Sequence, residues 1–219
     1  MRFCFLSHPY KKDQPAYGGR TSLPIKRIKS IANGDSSNVY EITIQNHWGT
    51  HIDAPNHFFP HGKKITDYPA DFWFFSHPMI IDVPLKEKEI LKNIDYNIIK
   101  NETDLLLLRS GWSRIRDEDK YCLSGPGIAP EVARTLREKL LNLRAIGIDW
   151  ISVSSYADRK SGRKTHRVLL DPDGPNNPVL IIEDMDIPFE LDRLQSVIVM
   201  PLRVEGIDSA PCTIIGIIE

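Results

Sequence analysis

The stretch NHWGTHIDAPNH, residues 46–57, constrains this chain more than any other. Three imidazoles and a carboxylate, His47, His51, Asp53 and His57, fall within eleven positions, although the whole 219-residue chain holds only seven histidines. Two neutral imidazoles and one carboxylate make a three-ligand set suited to Zn²⁺ or Mn²⁺, with a position left for water. The spacing leaves two local geometries open. His47 and His51, four apart, would share one face of a helix. Gly49, Thr50 and Pro55 are poor helix residues, however. The alternative is a strand that ends near His47 and runs into a tight loop. Gly49 would then permit the turn, His51 and Asp53 would face the same way on extended backbone, and Pro55 would fix the exit. His57 need not be a ligand, because an imidazole beside the reacting water can serve as general base and then general acid. The ordinary alternative is a set of unrelated core or surface histidines.

A chain of this length suits one large domain spanning residues 1–219, and its 41% hydrophobic content is enough for a full core. Net charge is −1, which argues against nucleic-acid binding. The basic run Arg159-Lys160, Arg163-Lys164 and Arg167 reads as a solvated loop. The opening MRFCFLSHPYKK has no basic segment followed by a long apolar one, so no signal peptide is expected. No apolar run reaches the ~20 residues of a membrane span. Cys4, Cys122 and Cys212 are scattered and odd in number, which points to reduced thiols and a cytoplasmic location.

Residues 8–38 are rich in Pro, Gly, Ser and Lys and read as irregular, with one short strand at most. In residues 39–45, Tyr40, Ile42 and Ile44 alternate with Glu41, Thr43 and Gln45, the pattern of a strand with one buried face. Apolar runs at 79–83, 104–109, 144–149, 179–184, 196–204 and 212–218 read as buried strands. Pro130 opens a helix over 130–143 with Val132, Leu136, Leu140 and Leu143 as its stripe. A shorter helix is expected over 86–93. The fold class is therefore α/β: a single mixed domain with a large, partly barrel-like sheet and flanking helices.

Glu183 closes the apolar run 179–182, and a carboxylate there is costly unless paired or bound to a cation. That makes Glu183, with His166, a candidate second pair of ligands; a capped strand end is the alternative. Phe58, Phe59, Phe72, Trp73, Phe74 and Phe75 follow the histidine cluster, and Trp48 lies inside it. Trp48, Phe59 and Trp73 are candidate walls for an aryl substrate, set against the plainer role of core residues.

HWGTHIDAPNHF resembles the HxGTHxDxPxHF signature of the cyclase family of metal-dependent hydrolases, which includes bacterial kynurenine formamidases and isatin hydrolases. LLLLRSGW, GPGIAPEVARTL, AIGIDWIS, HRVLL, VLIIEDM and VMPLRVEGIDSAP resemble further segments of that family, so the likeness runs along most of the chain. The resemblance implies one or two divalent ions, zinc first and manganese second. His47, His51 and Asp53 would bind the first, and Asp53, His166 and Glu183 the second, with Asp53 shared. It implies His57 as catalytic acid/base, a small-molecule amide or formamide as substrate, and a homodimer or larger assembly. The activity implied is hydrolysis of an N-formyl arylamine such as N-formylkynurenine to amine and formate. An isatin-type cyclic-amide hydrolase and a non-catalytic metal-binding protein are the alternatives.

Two departures stand out. The turn DPDGPNNP, residues 171–178, is longer than the family pattern. The family's C-terminal Gly-Ser-Pro-x-Arg appears here as Asp208-Ser209-Ala210-Pro211-Cys212-Thr213, without the arginine. A serine nucleophile is not expected, since no GxSxG is present and RSGWS has the wrong spacing.

Overall fold

The computed structural model describes residues 1–191 and 193–219. Nine strands form its main sheet: β1 (Arg2–Phe5), β2 (His51–Asp53), β3 (Phe74–Phe75), β4 (Pro78–Asp82), β5 (Leu105–Arg109), β6 (Ala145–Ile148), β7 (Leu180–Glu183), β8 (Leu194–Pro201) and β9 (Ser209–Ile218). The order is β3-β8-β9-β2-β7-β6-β5-β4, with β1 also paired to β9. From β4 to β7 the neighbours are parallel. From β7 through β2, β9 and β8 to β3 they are antiparallel. β8 also comes close to β4, so the sheet curls towards closure. The expected mixed α/β architecture with a partly barrel-like sheet is the one observed.

The apolar runs become strands because both faces of the sheet are covered. In β5, Leu106 and Leu108 enter one core with Ile146, Ile148 and Ile181, while Leu105 and Leu107 enter another with Ala145, Leu180 and Ile182. The period of two along each strand deals its residues alternately to the two cores. Helices α1 (Asp119–Leu123), α2 (Pro130–Lys139) and α3 (Arg159–Leu170) lie on the side of the first core. Val132, Ala133 and Leu136 of α2, and Leu169 and Leu170 of α3, are its contributions.

Several local expectations are corrected. The basic run 159–167 is not a loop but most of α3; Asp158 caps the helix by accepting from the Ser161 amide at 3.0 Å. Its arginines read as solvated because their side chains are exposed, while Thr165, His166, Leu169 and Leu170 of the same helix are buried. Helix α2 stops at Lys139, although Leu140 and Leu143 stay buried as expected. No helix forms over 86–93. Lys88 takes a positive φ of 59° there, which breaks any helix, and Ile90–Leu91 pairs instead with Gly127–Ile128. Residues 8–38 hold three strands rather than one: Asp13–Ala16, Gly19–Ser22 and Ile25–Lys29. The strand Val39–Ile42 pairs with Ile25–Lys29 in a separate two-stranded sheet, and every residue of that pair is exposed. The expected buried face of Tyr40 and Ile42 is therefore absent: among the described residues both strands of this hairpin are exposed along their whole length. Among the described residues no helix is long and apolar enough to cross a membrane, and all three cysteines are free.

Candidate metal centre

Strand β2 is only three residues long, yet it places the centre. Gly49, at φ 67°, turns the chain into it; a Cβ there would also press on the Tyr10 ring at 3.1 Å. His51 and Asp53 then point to the helix side of the sheet, while Ile52 between them enters the opposite core. Of the two readings of this stretch, the structure adopts the strand rather than the helix. Pro55 opens the single 3-10 turn Pro55–His57 that follows. The register sets Glu183 of β7 opposite His51, and Ser209 of β9 opposite Asp53. Helix α3 brings His166 over the same face.

The polar atoms of these residues meet without bonding one another. His51 Nε2 lies 3.7 Å from Asp53 Oδ1 and 3.5 Å from Glu183 Oε2. His166 Nε2 lies 3.8 Å from Asp53 Oδ2 and 3.4 Å from Glu183 Oε1. His47 Nδ1 lies 3.2 Å from Asp53 Oδ1. Most of these separations exceed good hydrogen-bond lengths. They do match the edge of a tetrahedron around a cation, where ligands ~2.1 Å from the ion sit ~3.4 Å apart. His51 Nε2 and both oxygens of Asp53 are buried without any hydrogen-bond partner. A carboxylate with 1% exposure and two orphaned oxygens is expensive to keep in a dry interior. A divalent cation removes that cost, so the residues fit one.

The outer contacts agree. His51 Nδ1 donates to the Gly49 carbonyl at 2.9 Å, and His166 Nδ1 donates to the Gly162 carbonyl at 2.9 Å. A carbonyl can only accept, so both rings carry their proton on Nδ1 when neutral, and each turns a bare Nε2 inward as a metal ligand requires. Glu183 Oε1 accepts from the Ser152 hydroxyl at 2.9 Å and from the Val153 amide at 2.8 Å. Burial alone would push the His51 imidazole down, but Glu183 and Asp53 outweigh it and raise its pKa to about 9. His166 is raised by the same balance, with Glu183 foremost against burial. Glu183 is held well below the usual carboxylate range, because His166 and His51 overcome the effect of its burial. The carboxylates thus demand positive charge, and a cation would supply it in place of imidazole protons.

His57 stands apart from this exchange. Its Nδ1 donates to Asp208 Oδ2 at 2.6 Å, which leaves Nε2 as its remaining nitrogen. Burial pushes His57 down, but the bond to Asp208 and the field of Asp53 raise it above the ordinary imidazole value. Asp208 in turn is lowered, chiefly by His57. Asn46 Nδ2 donates to Asp208 Oδ1 at 3.1 Å and to Ser209 Oγ at 2.6 Å, and Ser209 Oγ meets His47 Nε2 at 3.0 Å. Two triads of possible ligands converge within 4.8 Å: His47-Asp53-His57 and His51-Asp53-Glu183. Asp53 is common to both, while His51 and His57 divide differently from the sets implied by the family resemblance.

A cavity of about 240 Å³ opens onto these groups, lined also by Tyr17, Phe58, Ile151, Ser152, Ser154 and Arg163. Trp48, Phe59 and Trp73 do not line it. Trp73 belongs to the second core, Phe59 packs against the first, and half-buried Trp48 gives its carbonyl to the Tyr10 hydroxyl. None of residues 171–178 lines the cavity either. Buried Arg137 grips that turn by donating to the carbonyls of Asp171 and Asn176. Asp208, Asn46 and Arg163 were not evident as site residues from the sequence. Asp208 is 151 residues from its histidine, and only the antiparallel pairing of β2 with β9 brings the two together.

Fold and site together define a protein built around a buried imidazole–carboxylate centre that fits a divalent cation. Residues 5–155 match the family described as putative cyclase, and the chain belongs to that family. A kynurenine formamidase of Bacillus mycoides is 28% identical over 207 residues, covering 94% of this chain and 92% of that protein. Cyclase-like protein 1 of Arabidopsis thaliana is 25% identical over 215 residues, covering 94% and 81%. Among solved structures, isatin hydrolase A from Labrenzia aggregata, bound to benzyl benzoate, superposes with a TM-score of 0.81 at 20% identity, covering 100% of this chain and 94% of that one.

Proposed function

We propose that this protein is a metal-dependent hydrolase of amide C–N bonds, with an N-formyl arylamine of the N-formylkynurenine type as substrate. The observation that carries the reading is the pairing of an electrostatically incomplete donor set, His51, Asp53 and Glu183, with a separately held acid/base, His57. His47, His51, Asp53, His166 and Glu183 would hold one or two ions; nitrogen and carboxylate donors suit zinc, with manganese as the alternative. When bound, such an ion supplies Lewis acidity that makes water a competent nucleophile near neutral pH.

The rest of the chemistry belongs to the chain. Asp208 keeps the His57 proton on Nδ1, so Nε2 can accept the proton shed by the attacking water. The same nitrogen then delivers that proton to the departing arylamine nitrogen, without which the C–N bond would have to expel a poor anionic leaving group. Ser152 and the Val153 amide hold Glu183 in place, so its carboxylate need not reorganise during turnover. Phe58 stacks on His166 at 5.1 Å between centroids and gives the cavity an aromatic wall.

The test uses zinc- or manganese-loaded protein with N-formylkynurenine and with isatin, each with and without chelator. Chelator-sensitive release of formate from N-formylkynurenine is expected, and His57→Ala should abolish it while metal content stays unchanged. Turnover of isatin alone would move the assignment to cyclic amides, and no turnover of either would refute it. Assembly as a homodimer, with the exposed hairpin 25–42 covered by a second copy, and action in the cytoplasm are part of the same proposal. An isolated two-stranded sheet has little stability of its own, which supports a partner for it. A monomer in sedimentation equilibrium would exclude that assembly.

A further inference from the structure

Helix α3 does more at this site than deliver His166. Arg159, Arg163 and Arg167 follow one another at intervals of four, so they form a single row along the helix. Arg163 precedes His166 by one turn and lines the same cavity. Its two neighbours in the row are engaged with aromatic rings. Arg159 lies 4.0 Å from the centroid of Tyr156 and 5.7 Å from that of Tyr17. Arg167 lies 5.6 Å from Phe58 and 5.3 Å from Phe59. Tyr17 and Phe58 are themselves cavity walls. Arg163 has neither a ring nor a carboxylate, and among the described residues none of the three arginines forms an ion pair within 4.0 Å. The Tyr17 and Ser154 hydroxyls, 3.1 Å apart, line the cavity with it.

An unpaired arginine that lines a ligand cavity together with two hydroxyl-bearing residues fits a planar anion. It presents a fork of donors that matches a carboxylate in bidentate geometry. At about 240 Å³ the cavity is below the ~300–1,000 Å³ usual for drug-sized ligands, a size that suits a single-ring ligand. We propose that Arg163, with Tyr17 and Ser154, is a carboxylate-recognition subsite, and that the substrates are single-ring aryl amides bearing a carboxylate. This rests on the amide-hydrolase reading and narrows it.

The experiment compares 2-formamidobenzoate with formanilide, which share the scissile bond and differ in the carboxylate. Arg163→Gln and Arg163→Lys are assayed beside wild type, all metal-loaded. Arg163 is exposed, so both variants should keep the wild-type melting temperature. For R163Q, KM for 2-formamidobenzoate should rise roughly 10- to 100-fold, the range of a lost charge-assisted hydrogen bond. Its kcat, and both constants for formanilide, should stay within about twofold. R163K should recover part of the loss. Titration calorimetry with anthranilate gives a reading independent of turnover: wild type binds it, and R163Q binds it more weakly by a similar factor. Equal effects of R163Q on both substrates, or anthranilate binding that ignores residue 163, would overturn the subsite while leaving the hydrolase reading intact. Arg163-dependent anthranilate binding with neither amide hydrolysed would do the reverse.

Discussion

Gly162 offers a direct test of how α3 is seated. A Cβ added there would fall 1.9 Å from Ser154 Oγ, 2.3 Å from Ser154 Cβ and 2.4 Å from Ser154 Cα. The first could be relieved by a rotamer change; the last is backbone. Restoring ordinary contact at ~3.4 Å requires the helix and the Ser154 segment to part by roughly 1 Å. Two effects compete in Gly162→Ala. Replacing glycine inside a helix should stabilise by ~0.5–1 kcal/mol. Overpacking of this severity should cost ~1–3 kcal/mol or more. The second wins, for a net loss of about 1–2 kcal/mol and a melting temperature lower by about 2–8 °C in a chain of this size. The displacement should also reach the chemistry. The Gly162 carbonyl orients His166, and the Ser154 segment begins two residues after Ser152, which holds Glu183. Metal affinity should therefore fall ~10- to 100-fold. Urea unfolding with and without zinc measures both, and the destabilisation should be larger in the loaded protein. Adding Ser154→Gly removes Oγ and Cβ but not Cα, so rescue should be partial. A Gly162→Ala protein as stable as wild type, with unchanged metal affinity, would refute this account of α3.

Asp208→Asn should lower kcat for the amide substrate about 10- to 100-fold with little change in KM or metal content, because it removes the partner that fixes the His57 tautomer; equal losses in metal content would mean that Asp208 acts on the ligands instead. His8 is pushed below the ordinary imidazole value, chiefly by burial and with help from Arg116, against Asp184 and Asp186. As pH falls below ~6.5 the unfolded chain takes up a proton that the folded chain refuses, so His8 removes stability as pH drops from that point towards its own lower pKa. His8→Gln should therefore lose less stability than wild type between pH 7.5 and 5.5 in urea unfolding, and identical slopes would exclude His8 as a contributor.

Much of the main sheet could be read from the chain because its strands are buried on both faces and written as nearly unbroken apolar runs. Leu105–Arg109 and Leu180–Glu183 are the clearest cases. The surroundings of α3 were harder to read. Arg159, Arg163 and Arg167 dominate its composition, and the inward residues Thr165 and His166 look no more apolar than a loop. The hairpin 25–42 misled in the opposite way, since the alternation of Tyr40 and Ile42 signals a buried face that this chain alone does not provide. At the centre, the NHWGTHIDAPNH stretch announced its donors through density of residue type. The partners Asp208, Ser209 and Ser152 could not be found that way. They are common polar residues whose meaning arises only from strand register across more than a hundred positions in the first two cases, and from the loop that follows β6 in the third.

Strand β2 has a further consequence. It is the one strand of the sheet that pairs with both its parallel half, through β7, and its antiparallel half, through β9. Three residues are a thin seam for so large a sheet, and two of those three carry the donors His51 and Asp53. An ion gripped there together with Glu183 would work as a rivet through that seam, so the same event that equips the molecule for chemistry would lock its two halves into one cooperative body.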